Sequence, residues 1–169
     1  VTLPPPEVRK IEVMSGDRES DLWFRVEADS VYNRIVTSTW RAILEGAPAP
    51  PSEEAARKAF EELLAAVRRD VAKVRERGGE VVFVRAPSSD WFRDFERQAT
   101  PRQQVWEPII GAGEAVGIHF EDYPELSNVR TPEWSHISAH DKSRWTRSLV
   151  AILRTRLTER GVTRPELGS

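Results

Sequence analysis

The clearest periodic pattern in the chain runs from Glu53 to about Arg77 and predicts a long amphipathic helix. Apolar residues recur there every three or four positions, which is the spacing of one buried helix face, and Ser52 stands where an N-cap would be. Acidic residues crowd the first turn, basic residues crowd the last, and Gly78 and Gly79 follow the end. The side chains expected to face the core are Phe60, Leu63, Leu64, Val67, Val71 and Val74.

Two short apolar runs follow this helix and predict strands. "EVVFVRAPSS" (80–89) is continuous and rich in β-branched residues, as in a buried parallel strand, and "IHFEDY" (118–123) supplies a second strand. A helical region from about Asp90, interrupted near Pro101 and Pro108, separates them. The stretch "DKSRWTRSLVAILRTRLTER" (141–160) predicts a terminal helix that turns Trp145, Leu149, Ile152 and Leu153 inward.

This alternation of helices and strands predicts an α/β fold with a parallel sheet flanked by helices. Ligands of such folds gather at the carboxyl ends of the strands, which here lead into the loops 85–90 and 121–140. Nearer the amino terminus, "EVRKIEVM" and "DLWFRVEA" alternate partially around the polar "SGDRES", which indicates a hairpin. "DSVYNRIVTSTWRAILEG" (29–46) then predicts a helix, capped by Asp29 or Ser30, with an inward face of Val31, Ile35, Ile43 and Leu44.

The expected organisation is therefore a hairpin and helix over 1–46, a proline-rich connector over 47–52, an α/β portion over 53–160 and a tail over 161–169. The chain starts at Val1, with neither an initiator Met nor a signal-peptide pattern, which indicates a piece of something longer.

Composition narrows the classes of function. A length of 169 residues, 39% of them hydrophobic and 31% charged, describes one globular domain. The formal charge of -2 has no basic stripe, which argues against nucleic acid as a partner, and no apolar run is long enough to span a membrane. The absence of cysteine excludes disulfides, thiolate metal sites and a cysteine nucleophile.

The candidate chemistry lies in "TPEWSHISAHDKSRWT" (131–146), just before the terminal helix. Glu133 precedes His136 by three residues, and in a turn this spacing lets the carboxylate reach one nitrogen of the imidazole. The other nitrogen is then left to take a proton from a hydroxyl, as in a catalytic triad. The alternative from spacing alone is a polar turn that caps the helix.

The block "FEDYPELSNVRTPEWSHISAHDKSRWTRSLVAIL" (120–153) resembles the C-terminal signature of the SGNH (GDSL-like) hydrolase superfamily, where a D-x-x-H motif precedes the closing helix. "GGEVVFVRAPSS" is similar to the preceding strand in the acyltransferase-like branches of that superfamily. The resemblance covers residues 52–157. It implies an esterase or O-acyltransferase, acetyl transfer to a glycan included, with His136 as general base, Glu133 as its orienting carboxylate and an exported or periplasmic location.

The chain departs from the family pattern in two ways. Glutamate stands at position 133 where the family has aspartate, and no G-D-S-like turn with the nucleophilic serine is recognisable before residue 52. Ser30 follows a strand-like run and is a candidate nucleophile, with a role at the helix N-terminus as the alternative. The serine is therefore expected in an upstream segment or a partner chain, unless the fold has lost it and only binds a glycan or a protein.

Substrate-binding candidates are Arg85, which ends the first parallel strand, and Trp134, with Trp91 in a neighbouring loop. Arg85 would hold an anionic or carbonyl group of a substrate, or else form a salt bridge with a nearby acid. No cofactor is expected, because "GAGEAVG" does not follow a strand as a dinucleotide fingerprint does. A metal at His136 and His140 would need a third ligand from His119, Asp122 or Asp141, and no metal is expected.

Overall fold

The computed structural model describes residues 10–16, 18–49 and 52–162. The long helix predicted from its periodicity is α3, Glu53–Arg75, and the Ser52 side chain caps it by accepting a hydrogen bond from the Ala55 N–H at 3.0 Å. The chain leaves the helix through Gly78, whose φ of +76° lies in the left-handed region that favours glycine.

The inward face predicted for α3 is only partly buried. Val71 is the buried member of that set, whereas Leu63 and Val74 are exposed. Helix α3 packs against a later helix, α5 (Trp106–Gly113), and that contact covers only part of its apolar stripe.

The parallel pairing expected between the two apolar runs is confirmed. Strand β3, Val82–Arg85, pairs in parallel with β4, Val116–His119, so Arg85 and His119 lie side by side at the carboxyl ends. The expectation that β3 is buried was wrong: Val84 is 40% exposed. Among the described residues β3 has one strand neighbour, so its other edge carries no strand, whereas β4 is buried against the terminal helix.

The crossover between β3 and β4 contains α4, Asp90–Ala99, and α5. The predicted break at Pro101 is present, but Pro108 lies inside the first turn of α5. Proline is tolerated there, because the N–H groups of the first helical turn have no intrahelical acceptor.

The second strand begins at Val116 and ends at His119, so the predicted "IHFEDY" strand (118–123) is right only for its first two residues. Phe120–Asp122 forms a 3₁₀ turn, followed by the short α6, Pro124–Ser127, and by α7, Lys142–Glu159. Helix α7 turns the predicted side chains towards the core, where they pack around the buried Val116, Ile118, Phe120 and Leu126. These inward residues include Trp145, Leu149, Ile152 and Leu153.

The amino-terminal hairpin is present as β1, Glu12–Met14, paired antiparallel with β2, Ser20–Leu22. The prediction that "DLWFRVEA" stays extended was wrong, because the chain turns after Leu22 into α1, Phe24–Ala28. Alternation would put Leu22, Phe24 and Val26 on one face, yet Phe24 is exposed while the other two are buried.

Helix α2, Ser30–Glu45, is capped by Asp29, whose carboxylate accepts hydrogen bonds from the N–H groups of Val31 and Tyr32 at 3.0 Å. Ser30 is therefore the first residue of the helix and not its cap. The inward face predicted for this helix was wrong as well. Val31, Ile35 and Ile43 are exposed, and the buried side chains are Val36, Thr37 and Thr39.

The amino-terminal elements and the loop before α7 are joined by polar contacts. The Asn33 side chain donates to the Pro132 carbonyl at 2.7 Å, and the Ser138 hydroxyl donates to Glu27 at 2.9 Å. None of the helices in the described ranges combines the length and the apolar character that crossing a bilayer needs.

Packing around Gly117 in β4 gives a stability prediction. A Cβ at this position would lie 2.9 Å from Ile110 Cγ1 and 3.3 Å from Trp106 Cζ2. Gly117→Ala should therefore lower the free energy of unfolding by about 1–3 kcal/mol through overpacking, measured by urea denaturation.

The matched control is Gly111→Ala in α5, where the added methyl meets no atom of residues 10–16, 18–49 and 52–162 within 4 Å. That change should stabilise the protein by about 0.5–1 kcal/mol through helix propensity. Equal effects of the two substitutions would contradict the packing described for β4.

Candidate active site

The candidate site lies in the loop between α6 and α7. The loop is closed at its base by Asp141, whose carboxylate accepts hydrogen bonds from the Arg130 backbone N–H at 3.1 Å and from Arg144 at 3.0 Å. The Arg130 backbone donor, followed by Arg144, lowers the pKa of Asp141 to about 2. Asp141 therefore ties the loop to the start of α7.

Glu133 is fully buried at the centre of this loop. A carboxylate without water must find its hydrogen bonds in the protein, and this one accepts from several donors. The His136 backbone N–H donates to Oε1 at 2.6 Å, and the Ser135 backbone N–H donates to the same oxygen at 3.2 Å. The Trp40 indole, on α2, donates to Oε2 at 2.8 Å.

The His136 ring is held by the same carboxylate. Nδ1 lies 2.8 Å from Glu133 Oε1, and the Ser135 hydroxyl lies 3.0 Å from Nδ1. The structure therefore brings together the two residues that the sequence singles out. The Glu133 side chain folds back on its own loop to reach both the backbone N–H and the ring of His136.

The second ring nitrogen of His136 faces the amino-terminal hairpin. Nε2 lies 3.4 Å from a carboxylate oxygen of Glu12 in β1, and the ring is about one-third exposed. No serine hydroxyl of the described ranges hydrogen-bonds to Nε2. Ser135 lies at the nitrogen that Glu133 already holds, and Ser30 lies exposed at the start of α2.

The directions of the two pKa shifts favour an ion pair between Glu133 and His136. The hydrogen bond with Glu133 raises the pKa of His136 despite partial burial, and the nearby Glu12 charge adds to this. Burial works to raise the pKa of Glu133, but the hydrogen bonds and the charge of His136 outweigh it and leave that pKa below its usual value. Near neutral pH Glu133 is therefore ionised, and His136 is protonated to a greater extent than a free histidine.

Trp134 occupies an unusual backbone position beside this pair. Its φ of +79° lies in the left-handed region, which costs a bulky residue about 1–3 kcal/mol. The conformation is held because the Trp134 N–H donates to the Thr131 carbonyl and its carbonyl accepts from the Ser89 N–H, both at 2.9 Å. The indole packs against Trp91 at 5.5 Å between ring centroids, so the two tryptophans expected at this edge do meet.

Arg85 forms the salt bridge that the sequence left open. Its guanidinium pairs with Glu96 of α4 and also donates to the Ser88 hydroxyl at 3.3 Å. The Ser88 hydroxyl in turn donates to Glu96 at 2.5 Å. The charge of Arg85 is thus balanced within the fold, and a substrate role for Arg85 stays a prediction.

The metal alternative gains no support from the geometry. Within residues 10–16, 18–49 and 52–162, no group of three or more histidine or acidic side chains is arranged to hold a metal ion. His140 is exposed in the turn before α7, and Asp122 is bound by Arg102 through both carboxylate oxygens. His119 is 4% exposed and packs between Trp106 and Phe120.

Three residues of this site were not found from the sequence. Trp40 and Glu12 reach the pair from 93 and 124 positions away along the chain, so no local spacing marks them. Ser135 stands between the two predicted residues, where its hydroxyl links both, and an E-x-S-H pattern is the only local signal.

The hydrogen bond from Trp40 to buried Glu133 gives the first prediction for this site. Trp40→Phe keeps most of the ring but removes the donor, so it should lower the free energy of unfolding by about 1–3 kcal/mol in urea denaturation. Trp145→Phe is the control, because no group of the described residues forms a hydrogen bond with the buried Trp145 Nε1. A control that costs as much as Trp40→Phe would contradict this account.

The pH dependence of stability follows from the two pKa shifts. Because the pKa of His136 is raised in the folded protein, the stabilisation that His136 provides is fully present below about pH 6.5. It is lost as the pH rises through the raised pKa. Because the pKa of Glu133 is lowered in the folded protein, the stabilisation that Glu133 provides is fully present above about pH 4.5. It is lost as the pH falls through the lowered pKa. The difference in Tm between the parent and His136→Asn should therefore be largest between those two values, and a difference independent of pH would refute the ion pair.

Chemically, a buried carboxylate that orients an imidazole can stabilise an imidazolium and so assist proton transfer at the free ring nitrogen. The contacts of Glu133 and His136 carry this argument alone. Comparisons of the chain with family models, with curated proteins and with solved structures found no match.

Proposed function

We propose that the chain contributes the base half of an ester-processing site, for hydrolysis or for O-acyl transfer such as acetyl transfer to a glycan. The observation that carries the proposal is the buried Glu133 carboxylate at 2.8 Å from His136 Nδ1, which leaves Nε2 on the opposite side of a ring that is about one-third exposed. In this role Glu133 fixes the tautomer and orientation of the ring, and His136 moves the proton.

The proposed reaction needs a serine from an upstream segment or a partner chain. His136 Nε2 takes the proton of the serine hydroxyl while the serine oxygen attacks the carbonyl carbon of the ester. The same nitrogen then protonates the departing oxygen, and water or an acceptor hydroxyl releases the acyl group by the reverse sequence. In the described structure Glu12 lies beside Nε2, so the hairpin has to give way to the incoming hydroxyl.

The edge of strand β3 that is unpaired among the described residues supports the proposal that another segment or chain supplies the nucleophile. Strand β3 pairs on one side only within the described residues, and its Val84 side chain is 40% exposed. A further parallel strand added at this edge would end beside Arg85, at the same edge of the sheet as the loop of Glu133 and His136. The nucleophile of an α/β hydrolytic site belongs at such a strand end.

A second function, binding without catalysis, is favoured by one specific observation. Nε2 of His136 faces the carboxylate of Glu12 and not a hydroxyl, so the pair also serves as a structural ion-pair cluster. In that case the Trp91 and Trp134 surface, with the Arg41 guanidinium 4.6 Å from the Trp91 ring centroid, is the candidate contact for a glycan or a protein.

Ester turnover by the full-length protein tests the proposal. His136→Ala should lower kcat/KM for p-nitrophenyl acetate by about a hundredfold or more, because the general base is removed. The matched control is His140→Ala, four residues along the same loop and exposed, which should leave turnover unchanged. Circular dichroism should show both variants folded.

A fluorophosphonate probe separates the two functions. Labelling of a serine in the full-length protein that is lost in His136→Ala supports the enzyme. Turnover that survives in His136→Ala, or a protein that neither turns over the ester nor takes up the probe, would refute it and favour binding alone.

A further inference from the structure

A second site lies outside the loop of Glu133 and His136. A cavity of about 450 Å³ opens between α4, α5 and the end of β4, and its size is that of a pocket for a small ligand. Arg85 lines it from the end of β3, and His119 lines it from the end of β4. It therefore occupies the edge of the sheet where α/β proteins bind ligands, and neither Glu133 nor His136 borders it.

The walls of this cavity are crowded with charges of both signs. Arg85 is paired with Glu96, and a second carboxylate, that of Glu121, is shared by Arg93 and Arg97. These ion pairs hold the charged side chains in place along the cavity wall. Arg93 is the least exposed of the three arginines.

A third ion pair involves Arg102, which also lines the cavity. Arg102 holds Asp122, outside the cavity, through two hydrogen bonds of 2.7 and 2.8 Å, and its Nε lies 3.8 Å from Glu107. Asp94 of α4 lies 3.5 Å from Arg97. An anionic ligand would therefore compete with carboxylates already in place. Hydroxyl groups, which donate and accept together, can bridge a guanidinium and a carboxylate without displacing either.

His119 and Trp106 add a neutral donor and an apolar surface. Burial, together with the charges of Arg102 and Arg93, lowers the pKa of His119 to about 4, so its ring is neutral near pH 7. His119 Nδ1 accepts a hydrogen bond from the Glu121 N–H at 3.3 Å, which leaves the proton on Nε2 as a donor. The Trp106 indole contacts the His119 ring and lines the same cavity.

We propose that this cavity is a binding site for a neutral saccharide residue. Paired guanidinium and carboxylate groups supply hydrogen bonds in both directions for ring hydroxyls, and Trp106, Val105 and Ile109 supply apolar wall for the ring carbons. The site extends the glycan part of the proposed function. It is tested by binding alone, so its failure leaves the ester chemistry of His136 untouched.

The test is titration of the full-length protein with methyl glycosides of glucose, galactose and N-acetylglucosamine, followed by nuclear magnetic resonance of the Trp106 indole N–H. At least one glycoside should shift this signal with saturation. Methyl glucuronoside, the charged counterpart of the glucoside, should bind more weakly than the best neutral glycoside. No saturable shift with any neutral glycoside, or tighter binding of the glucuronoside, would overturn the assignment.

Two neighbouring glutamines offer a matched pair of blocking variants. Gln103 and Gln104 are both exposed, but only Gln103 lines the cavity. Gln103→Trp fills part of the space without breaking an ion pair and should raise Kd about tenfold or more, whereas Gln104→Trp should change Kd by less than about twofold. Equal effects of the two variants would place the saccharide elsewhere and refute the proposal.

Discussion

The buried carboxylate of Glu133 is the constraint on which the arrangement of this molecule depends. Removing a charged group from water is costly unless the protein replaces the lost hydrogen bonds. Here the replacements come from two separate parts of the chain: backbone and side-chain donors of Ser135 and His136 on one side, and the Trp40 indole of α2 on the other. Satisfying Glu133 therefore requires α2 to dock against the loop before α7.

This requirement explains why the amino-terminal elements pack as they do. Helix α2 turns threonines and Trp40 towards the rest of the protein and leaves Ile35 and Ile43 exposed, although its apolar spacing predicts the opposite face. The Asn33 side chain of the same helix also donates a hydrogen bond to this loop, at the Pro132 carbonyl. The observed orientation of this helix is therefore the one that lets Trp40 and Asn33 reach the loop before α7, not the one that buries its most apolar stripe.

Local patterns predicted the elements whose stability is local. Helix α3 has its cap, its charge gradient and its glycine stop within one stretch of sequence, and the α7 side chains follow one periodic face. The pairing of Glu133 with His136 was also predictable, since three residues in a turn suffice to join them. What the sequence could not supply are the long-range partners, Trp40 and Glu12, and the burial of whole faces. The exposure of Val84 and Leu63 depends on which neighbours are present and not on the strand or helix itself.

The sheet brings two chemically different groups to one edge. Arg85 ends β3 and His119 ends β4, side by side in the parallel pairing, yet neither carries free charge. Arg85 is balanced by Glu96, and His119 is kept neutral by burial and by the surrounding arginines. Arg85 also connects the cavity to the loop of Glu133. Arg85 contacts Ser88, and the N–H of the next residue, Ser89, donates to the Trp134 carbonyl that adjoins Glu133. A ligand seated in the cavity would thus lie one short loop away from the His136 pair, because both are anchored to the same strand end.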